Sequence, residues 1–413
     1  MAEKTGRGRL LFIDNIRWTV IVLVVMVHAA VTYSGLGRWY YYEPQETGAL
    51  SGLFFGFFLS SAQAFSMGLL FLLAGYFVPA SFDRKGPGGF LRGRAVRLGI
   101  PTLIFMLFLE PLLSVLPAAV RGDPVLSSAG RRYLEYILTL EFLGGTGPMW
   151  FTAALLIFSA AYAAFRCLSL RKPGRKEKEY NGHDSPSPPL PGWKGGPKAL
   201  PMDRDGWLPG HRHLAALALL VAATAFAIRI FQPIGTDVLN MQLCFFAQYI
   251  ILFIVGIAAY RMDLLLRIPS ALGMDWLKAA LLAGPAIWLA MMLAGGAASG
   301  NLAPFWGRLH WQSAAYALWE SFFSVGMCLG IIVLFRDRWN RQGSLERFLS
   351  DNYFSVYVFH PPILVLVSLA LRPFGWHPIA KFIAACAIAL PLCFLASHFI
   401  LRKIPLLGAV LLK

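Results

Sequence analysis

The chain has 413 residues, of which 57% are hydrophobic and only 14% are charged. Soluble globular domains carry about 25% charged residues, so the composition excludes an ordinary soluble protein. The net charge of +16 could suit a nucleic-acid-binding protein, but the basic residues fall in alternate loops between apolar runs. The sequence therefore predicts an integral membrane protein with no nucleic acid among its partners.

Ten apolar runs recur along the chain. Each is close to the roughly 20 residues that a helix rising about 1.5 Å per residue needs to cross the hydrocarbon core. We therefore predict an all-α integral membrane protein with about ten transmembrane helices. The runs lie near residues 16–36, 51–79, 98–118, 148–168, 214–232, 241–260, 277–296, 313–335, 354–371 and 379–400.

The distribution of basic residues predicts the orientation of these helices. With the N-terminus placed inside, 29 of the 37 Lys and Arg residues fall in cytoplasmic segments. This asymmetry follows the positive-inside rule and favours contact with anionic membrane lipid. An even number of crossings returns the C-terminus to the same side, so we predict a multi-pass cell-membrane protein with both termini cytoplasmic.

One segment, residues 171–212, breaks the hydrophobic pattern because it is rich in Pro, Gly and charge. We predict a mobile cytoplasmic linker between helices four and five, inside a single transmembrane domain that covers residues 1–413. The five cysteines stand singly in or beside apolar runs without CxxC spacing. The sequence therefore predicts neither a disulfide framework nor a metal site.

Arg17 and His28 are ionisable residues in the first predicted helix. They are eleven positions apart, which places both on one helix face, about 16 Å apart along the axis. Asp14 lies one turn before Arg17, so we predict a polar stripe that lines a path from the inner surface toward the middle of the membrane. The alternative is that Arg17 snorkels to the surface and His28 is a hydrogen-bonded core residue.

Arg92, Arg94 and Arg97 gather with Lys85 at the predicted cytoplasmic end of the third span. Guanidinium groups bind phosphate oxygens in pairs and stay charged at all relevant pH values, so the cluster predicts a site for a phosphorylated cofactor. Topology alone is an equally good explanation, because any cytoplasmic loop attracts Lys and Arg.

Several short patterns occur together along nearly the whole chain. They are Arg17 with His28, AGYF at 74–77, RLGIP at 97–101, Trp150 with Phe151, and Tyr353, Tyr357 and His360 spaced as Tyr-x-x-x-Tyr-x-x-His. Together they resemble the acyltransferase-3 family of membrane acyltransferases. RLGIP and RKIPLL at 402–407 look most similar to the members that succinylate periplasmic glucans. Many members have a histidine shortly before the Trp-Phe pair, where this chain has Gly147, Pro148 and Met149, so no role is carried over there.

The resemblance implies an enzyme of the bacterial inner membrane that moves an acyl group from cytoplasmic acyl-CoA to a hydroxyl of an extracytoplasmic glycan or similar acceptor. Acetyl-CoA is the default co-substrate and succinyl-CoA the next, and no cofactor is bound permanently. His28 is expected to remove the acceptor proton as a general base. The donor's phosphates are expected at Arg17, Arg92, Arg94 and Arg97. Substrate-binding or structural roles are expected for Trp150, Tyr353, Tyr357 and His360.

Two further roles have competing explanations. Glu110 in the third predicted helix is the expected partner of His28, because a base that becomes positively charged needs a stabilising group. A pair between Glu110 and an outer arginine such as Arg121 fits equally well. His360 precedes two prolines, so it either bonds a carbonyl freed near the proline kink or contributes to binding. Residues 38–43, RWYYYE, could contact a sugar, but anchoring at the membrane interface is favoured.

A transporter or flippase for a polar or glycan-linked substrate is the alternative function, because ten helices with a polar path could move a substrate without a covalent step. A proton-coupled carrier usually shows several intramembrane acids and broken helices in paired halves. In this sequence the buried ionisable groups concentrate in helices one and three and no internal repeat is visible, so the enzyme is favoured.

Overall fold

The computed structural model describes residues 9–43, 48–121, 129–170 and 207–404. Within these ranges the regular structure is helical and contains no strand, apart from an isolated bridge between Val238 and Met241. The α-helices, in chain order, are α1 (Leu11–Ser34), α2 (Ala49–Arg94), α3 (Ile100–Ile104), α4 (Glu110–Val120), α5 (Ala129–Leu138), α6 (Trp150–Leu170), α7 (His211–Phe231), α8 (Phe246–Arg261), α9 (Leu264–Arg267), α10 (Ser270–Ala294), α11 (Ala303–Trp306), α12 (Trp311–Arg338), α13 (Ser344–Leu371) and α14 (Pro378–Phe399).

The described ranges contain nine continuous helical segments that are long and apolar enough to cross a membrane. One of them, Ala49–Val120, has 72 residues, far more than a single crossing needs. It is broken at Gly86, whose φ of 67° and ψ of 171° suit a glycine that precedes a proline. The two halves hold the predicted spans at 51–79 and 98–118. The all-α, multi-pass membrane fold predicted from the sequence is therefore confirmed.

Some helix ends differ from the hydropathy pattern. The helix α13 begins at Ser344, well before the apolar run near 354, and its first turn is polar. The Glu346 carboxylate there accepts a hydrogen bond of 2.9 Å from the backbone N–H of Gly343. Hydropathy cannot detect such an extension, because it registers only the apolar part of a helix. Most of the predicted linker, 171–206, and the last residues of the RKIPLL pattern, 405–407, lie outside the described residues.

The second half of the 72-residue segment twice widens into a π-helical turn, at Ala95–Gly99 and at Phe105–Leu109. Each turn is followed within two residues by a proline, Pro101 or Pro111. Proline has no N–H for the normal helical hydrogen bond, so a local change of helical form accommodates it. As a result, Glu110 begins a new α-helical stretch directly after the second wide turn.

Small residues let the helices approach closely. A Cβ atom at Gly75 of α2 would collide with the Phe253 carbonyl oxygen of α8, and one at Gly256 of α8 would collide with that of Leu72. Such contacts are how helices pack in lipid, where no hydrophobic effect drives them together. The helix α1 packs against α2, α12, α13 and α14. This central position of α1 brings His28 to the later helices.

Candidate active site

The His28 side chain of α1 meets His360 of α13 inside the helical domain. Nδ1 of His28 lies 2.9 Å from Nε2 of His360, and the two ring planes differ by 12°. His360 is fully buried and His28 is half-buried. The fold thus joins two predicted site residues that are 332 positions apart in the sequence.

The hydrogen bonds of His360 determine which nitrogens carry protons in the neutral pair. Nδ1 of His360 lies 2.9 Å from the Tyr357 carbonyl oxygen, which can only accept, so this nitrogen is assigned the proton. Nε2 of a neutral His360 must then accept, which requires Nδ1 of His28 to donate. Nε2 of His28 is left with a free lone pair, the form in which a histidine accepts a proton.

Pro361 explains why the Tyr357 carbonyl is available. In an α-helix this carbonyl would accept from the backbone N–H of residue 361, and proline has none. The side chain of His360 supplies the missing donor. His360 therefore makes the contact with a freed carbonyl that was one of its two expected roles, and its other ring nitrogen contacts His28.

An indole ring lies on the histidine pair. The Trp39 ring is nearly parallel to that of His28, with centroids 4.0 Å apart, and its centroid lies 6.0 Å from that of His360. Its Nε1 is buried and has no hydrogen-bond partner among the described residues. The sequence favoured a membrane anchor for residues 38–43. The structure instead packs Trp39 of this segment against the candidate base.

Glu110 does not bond His28 in the described part of the chain. Its carboxylate accepts a hydrogen bond from the Tyr40 hydroxyl, while Nδ1 of His28 is engaged by His360. The Tyr40 ring meets the Trp39 ring edge to face, with centroids 5.0 Å apart. Glu110 therefore reaches the site only through Tyr40 and Trp39, and the direct partner expected for His28 from the sequence is replaced by His360.

The other aromatic residues predicted for the site make contacts between neighbouring elements. The Tyr357 hydroxyl donates to the Pro148 carbonyl, in the segment directly before α6. Trp150 begins α6 and stacks on Tyr249 of α8, with centroids 5.6 Å apart. Tyr353 lies one turn before Tyr357 and is half-buried against the core. These contacts attach α13 to the segment before α6, and α6 to α8.

The arginines predicted to bind phosphate lie toward the opposite end of α1. Arg94 lies within electrostatic range of both Arg97 and Arg17, so the fold gathers three of the four. Arg92 and Arg97 are exposed and Arg94 is half-buried. The charges of Arg97 and Arg17 both repel that of Arg94, and a bound anion would reduce this repulsion.

Arg17 is held by two neighbours. Its Nη1 donates to Oδ1 of Asp14 over 3.1 Å, and its Cζ lies 4.8 Å from the centroid of the Phe77 ring. Phe77 is the last residue of the AGYF pattern, so that pattern places an aromatic face under the guanidinium group. Asp14 also accepts from Arg9, over 2.7 Å. The Arg17 side chain remains partly accessible, with 25% of its surface exposed.

The face of α1 between Arg17 and His28 does not form the predicted polar path. Ile21 and Val24 fill it and are only 4% and 7% exposed. The expected continuous stripe is wrong for this stretch, because helical spacing places these two apolar side chains on the same face as the two ionisable ones. A cavity of about 260 Å³ lies instead on the other side of α1 and is lined mainly by apolar side chains of α1, α2 and α12.

Two buried ion pairs lie outside this site. Arg229 of α7 pairs with Glu320 of α12 over 2.5 Å, with 0% and 2% of their surfaces exposed. Lys381 of α14 pairs with Glu43, and both are buried. The interpretation that buried ionisable groups concentrate in helices one and three is therefore wrong. The signal that could have found the first pair is a charged residue within each of the fifth and eighth predicted spans.

A family model described as an acyltransferase domain, that of acyltransferase-3, matches residues 10–398. The match covers nearly the whole chain and includes the histidine pair, the arginine cluster and Glu110. Neither the comparison with curated proteins nor that with solved structures gives a match.

Proposed function

Because the chain belongs to the acyltransferase-3 family, we propose that it moves an acyl group from cytoplasmic acyl-CoA to a hydroxyl of an extracytoplasmic glycan or similar acceptor. The protein is a multi-pass membrane acyltransferase that transfers groups other than aminoacyl groups. The proposal adds acetyl as the default acyl group, succinyl as the next, and the bacterial inner membrane as the location. The likeness of RLGIP at 97–101 to glucan-succinylating proteins supports the succinyl alternative.

The observation that carries the proposal is the hydrogen-bonded pair of His28 and His360. Because Nδ1 of His360 donates to the Tyr357 carbonyl, Nε2 of His28 is left unprotonated and can act as a base. When His28 accepts a proton, its Nδ1–H remains bonded to a neutral imidazole, which spreads the new charge.

The acceptor hydroxyl oxygen attacks the thioester carbonyl carbon while its proton passes to Nε2 of His28. The tetrahedral intermediate collapses, the carbon–sulfur bond breaks, and the same proton passes from His28 to the sulfur. The products are an O-acyl ester and free coenzyme A, and His28 returns to its starting form.

The donor is proposed to bind with its phosphates at Arg17, Arg94 and Arg97, with Arg92 at the rim. Coenzyme A carries several negative charges at its nucleotide end, which match this cluster. Because Ile21 and Val24 fill the stretch toward His28, the thioester reaches the base only if these side chains move aside. Donor binding is therefore proposed to separate α1 from its neighbours along this face.

A transporter or flippase for a polar or glycan-linked substrate is the second candidate. The buried Arg229–Glu320 pair favours it, because intramembrane charges often mark the path of an ion or substrate. The two candidates differ in their product. An acyltransferase leaves a covalent ester on the acceptor, whereas a transporter leaves the acceptor's mass unchanged.

The test is to reconstitute the protein in vesicles, supply labelled acetyl-CoA or succinyl-CoA with candidate glycans, and measure labelled ester by mass spectrometry. We expect ester from the wild type and at least about a hundredfold less from His28→Ala, the loss typical of a missing general base. His398→Ala is the matched control, because His398 is an exposed histidine at the far end of α14. Unchanged ester formation by His28→Ala would exclude His28 as the general base. Movement of the glycan across the membrane without ester formation would favour the transporter.

A further inference from the structure

Trp39 takes no part in this acyl-transfer chemistry, yet its indole lies flat against the base. The centroids of the Trp39 and His28 rings are 4.0 Å apart with an interplanar angle of 11°, and the His360 ring is tilted by only 12° from either of them. Three nearly parallel rings therefore lie together at the site. Stacking of this kind restricts rotation of an imidazole about its side-chain bonds.

Both neighbours of Trp39 in the chain are held by other elements. The Arg38 guanidinium forms an ion pair with the Asp237 carboxylate in the loop that follows α7. The Tyr40 hydroxyl donates to the Glu110 carboxylate at the start of α4. Trp39 is thus fixed from two sides by separate parts of the fold.

Glu43, further along the same loop, is also attached to other elements. The backbone N–H of Glu43 donates to the Thr32 carbonyl of α1 over 3.0 Å, and the Glu43 carboxylate pairs with Lys381 of α14. Both members of this ion pair are buried, so breaking it would leave an uncompensated charge in the protein interior. The loop that holds Trp39 is therefore attached to α1 and α14 as well.

Anchoring at the membrane interface does not explain Trp39. An anchoring tryptophan keeps its indole N–H at the wet headgroup level, whereas Nε1 of Trp39 is buried with no partner among the described residues. Trp376, in the loop between α13 and α14, provides a contrast because 46% of its surface is exposed. Its ring packs only on that of Phe374 among the described ring contacts.

We propose that Trp39 is a positioning residue for His28, and that Glu110 acts on His28 indirectly by holding Tyr40 and thereby Trp39. The indole keeps the imidazole oriented so that Nδ1 donates to His360 and Nε2 keeps its lone pair free. The assignment rests on the proposed function, because it concerns the same base. It also gives Glu110 a role at the site although it does not touch His28.

Diethyl pyrocarbonate tests the packing independently of activity, because it modifies unprotonated imidazoles. We expect Trp39→Leu to raise the rate of His28 modification several-fold relative to His398, measured on peptides by mass spectrometry. Trp39→Phe, which keeps a flat ring, should stay close to the wild type. Glu110→Gln should change the rate in the same direction as Trp39→Leu, but less.

The kinetics of acyl transfer show whether Trp39 orients the His28 imidazole or only shields it from the reagent. We expect Trp39→Leu to lower kcat about tenfold with little change in KM for the acyl donor, and Trp39→Phe to recover most of the loss. Trp376→Leu is the matched control and should change neither quantity. Each variant is compared only if it elutes from size-exclusion chromatography at the wild-type position. If Trp39→Leu does not, Glu110→Gln provides the comparison, because weakening the Tyr40–Glu110 bond should also raise the His28 modification rate.

The outcomes are distinguishable. If the modification rate of His28 is unchanged in a folded Trp39→Leu variant, or if its kcat equals that of the wild type, the positioning role is overturned. If the rate rises while the wild type forms no ester with either donor, the proposed function fails and the packing of Trp39 on His28 stands.

Discussion

At the scale of single residues, the site depends on the positions of protons and charges. His28 has a free lone pair because its partner is fixed by a backbone carbonyl one turn back along α13. Near the other end of α1, the positive charges of Arg97 and Arg17 act on Arg94, and the proposed function assigns this cluster to the donor's phosphates. Base and cationic cluster can therefore be tested separately.

Charge reversal tests the arginine cluster. Replacing Arg92, Arg94 and Arg97 by Glu should weaken coenzyme A binding by at least about tenfold, because each lost guanidinium removes charge-assisted bonds to phosphate. Equilibrium dialysis with labelled coenzyme A measures the change in detergent. The control reverses Arg131 and Arg132, which are exposed on α5. Equal binding by the cluster variant and this control would exclude a phosphate site at the cluster.

Alkaline pH tests the bond that holds Tyr40. Burial, together with the neighbouring Glu110 carboxylate, raises the pKa of Tyr40 above its ordinary value near 10. The unfolded phenol ionises first, so the stability from this group is complete below about pH 10 and is lost as pH rises through the higher folded-state pKa. The melting temperature should therefore fall more between pH 9 and pH 11 for the wild type than for Tyr40→Phe. An equal fall in the melting temperature of the wild type and of Tyr40→Phe would contradict the Tyr40–Glu110 bond.

At the scale of helices, most of the architecture could be predicted from the sequence, because an apolar run needs only its own residues to indicate a crossing. The bond from His360 to the carbonyl freed by Pro361 was also within reach, since it spans one helical turn. The contact of His28 with His360 was not, because it depends on which faces of α1 and α13 pack together. The packing of Trp39 on His28 was missed because it depends on how the loop after α1 folds back onto that helix.

The buried pair between α7 and α12 gives a stability prediction. Glu320→Ala would leave the Arg229 guanidinium charged and unpaired in the interior, which should lower the free energy of unfolding by about 3–5 kcal/mol. Replacing both residues by apolar side chains of similar volume should recover most of the loss. Thermal melting in detergent measures both effects, with Glu135→Ala on the exposed surface of α5 as control.

If Glu320→Ala melts at the wild-type temperature, the Arg229–Glu320 pair is accessible to water and the predicted loss of stability is wrong. The same variant bears on the choice between functions. If the pair serves only the fold, residual acyl transfer should follow the amount of folded protein, whereas a pair on a transport path would change substrate movement at equal folding.

At the scale of the whole molecule, the fold places a cationic cluster and a histidine pair at different depths of one helical domain. The sequence predicted that Arg17 and His28 share one face of α1. It also predicted an open polar path between them, but Ile21 and Val24 fill this stretch. Periodicity shows which residues share a helix face, but it does not show whether a neighbouring helix covers that face. Under the proposed function, donor and acceptor meet at His28, which would require α1 and its neighbours to separate during the reaction.

The central claim is that His28 and His360 act together as one base. A double-mutant cycle on the rate of acyl transfer in vesicles tests it most directly, using His28→Ala, His360→Ala and the double variant. We expect both single variants to lose activity and the double variant to be no slower than His28→Ala, because residues that act as a unit cannot be lost twice. The claim would be contradicted if the fold-losses in rate of the two single variants multiplied in the double variant. It would also be contradicted if His360→Ala transferred acyl groups at the wild-type rate.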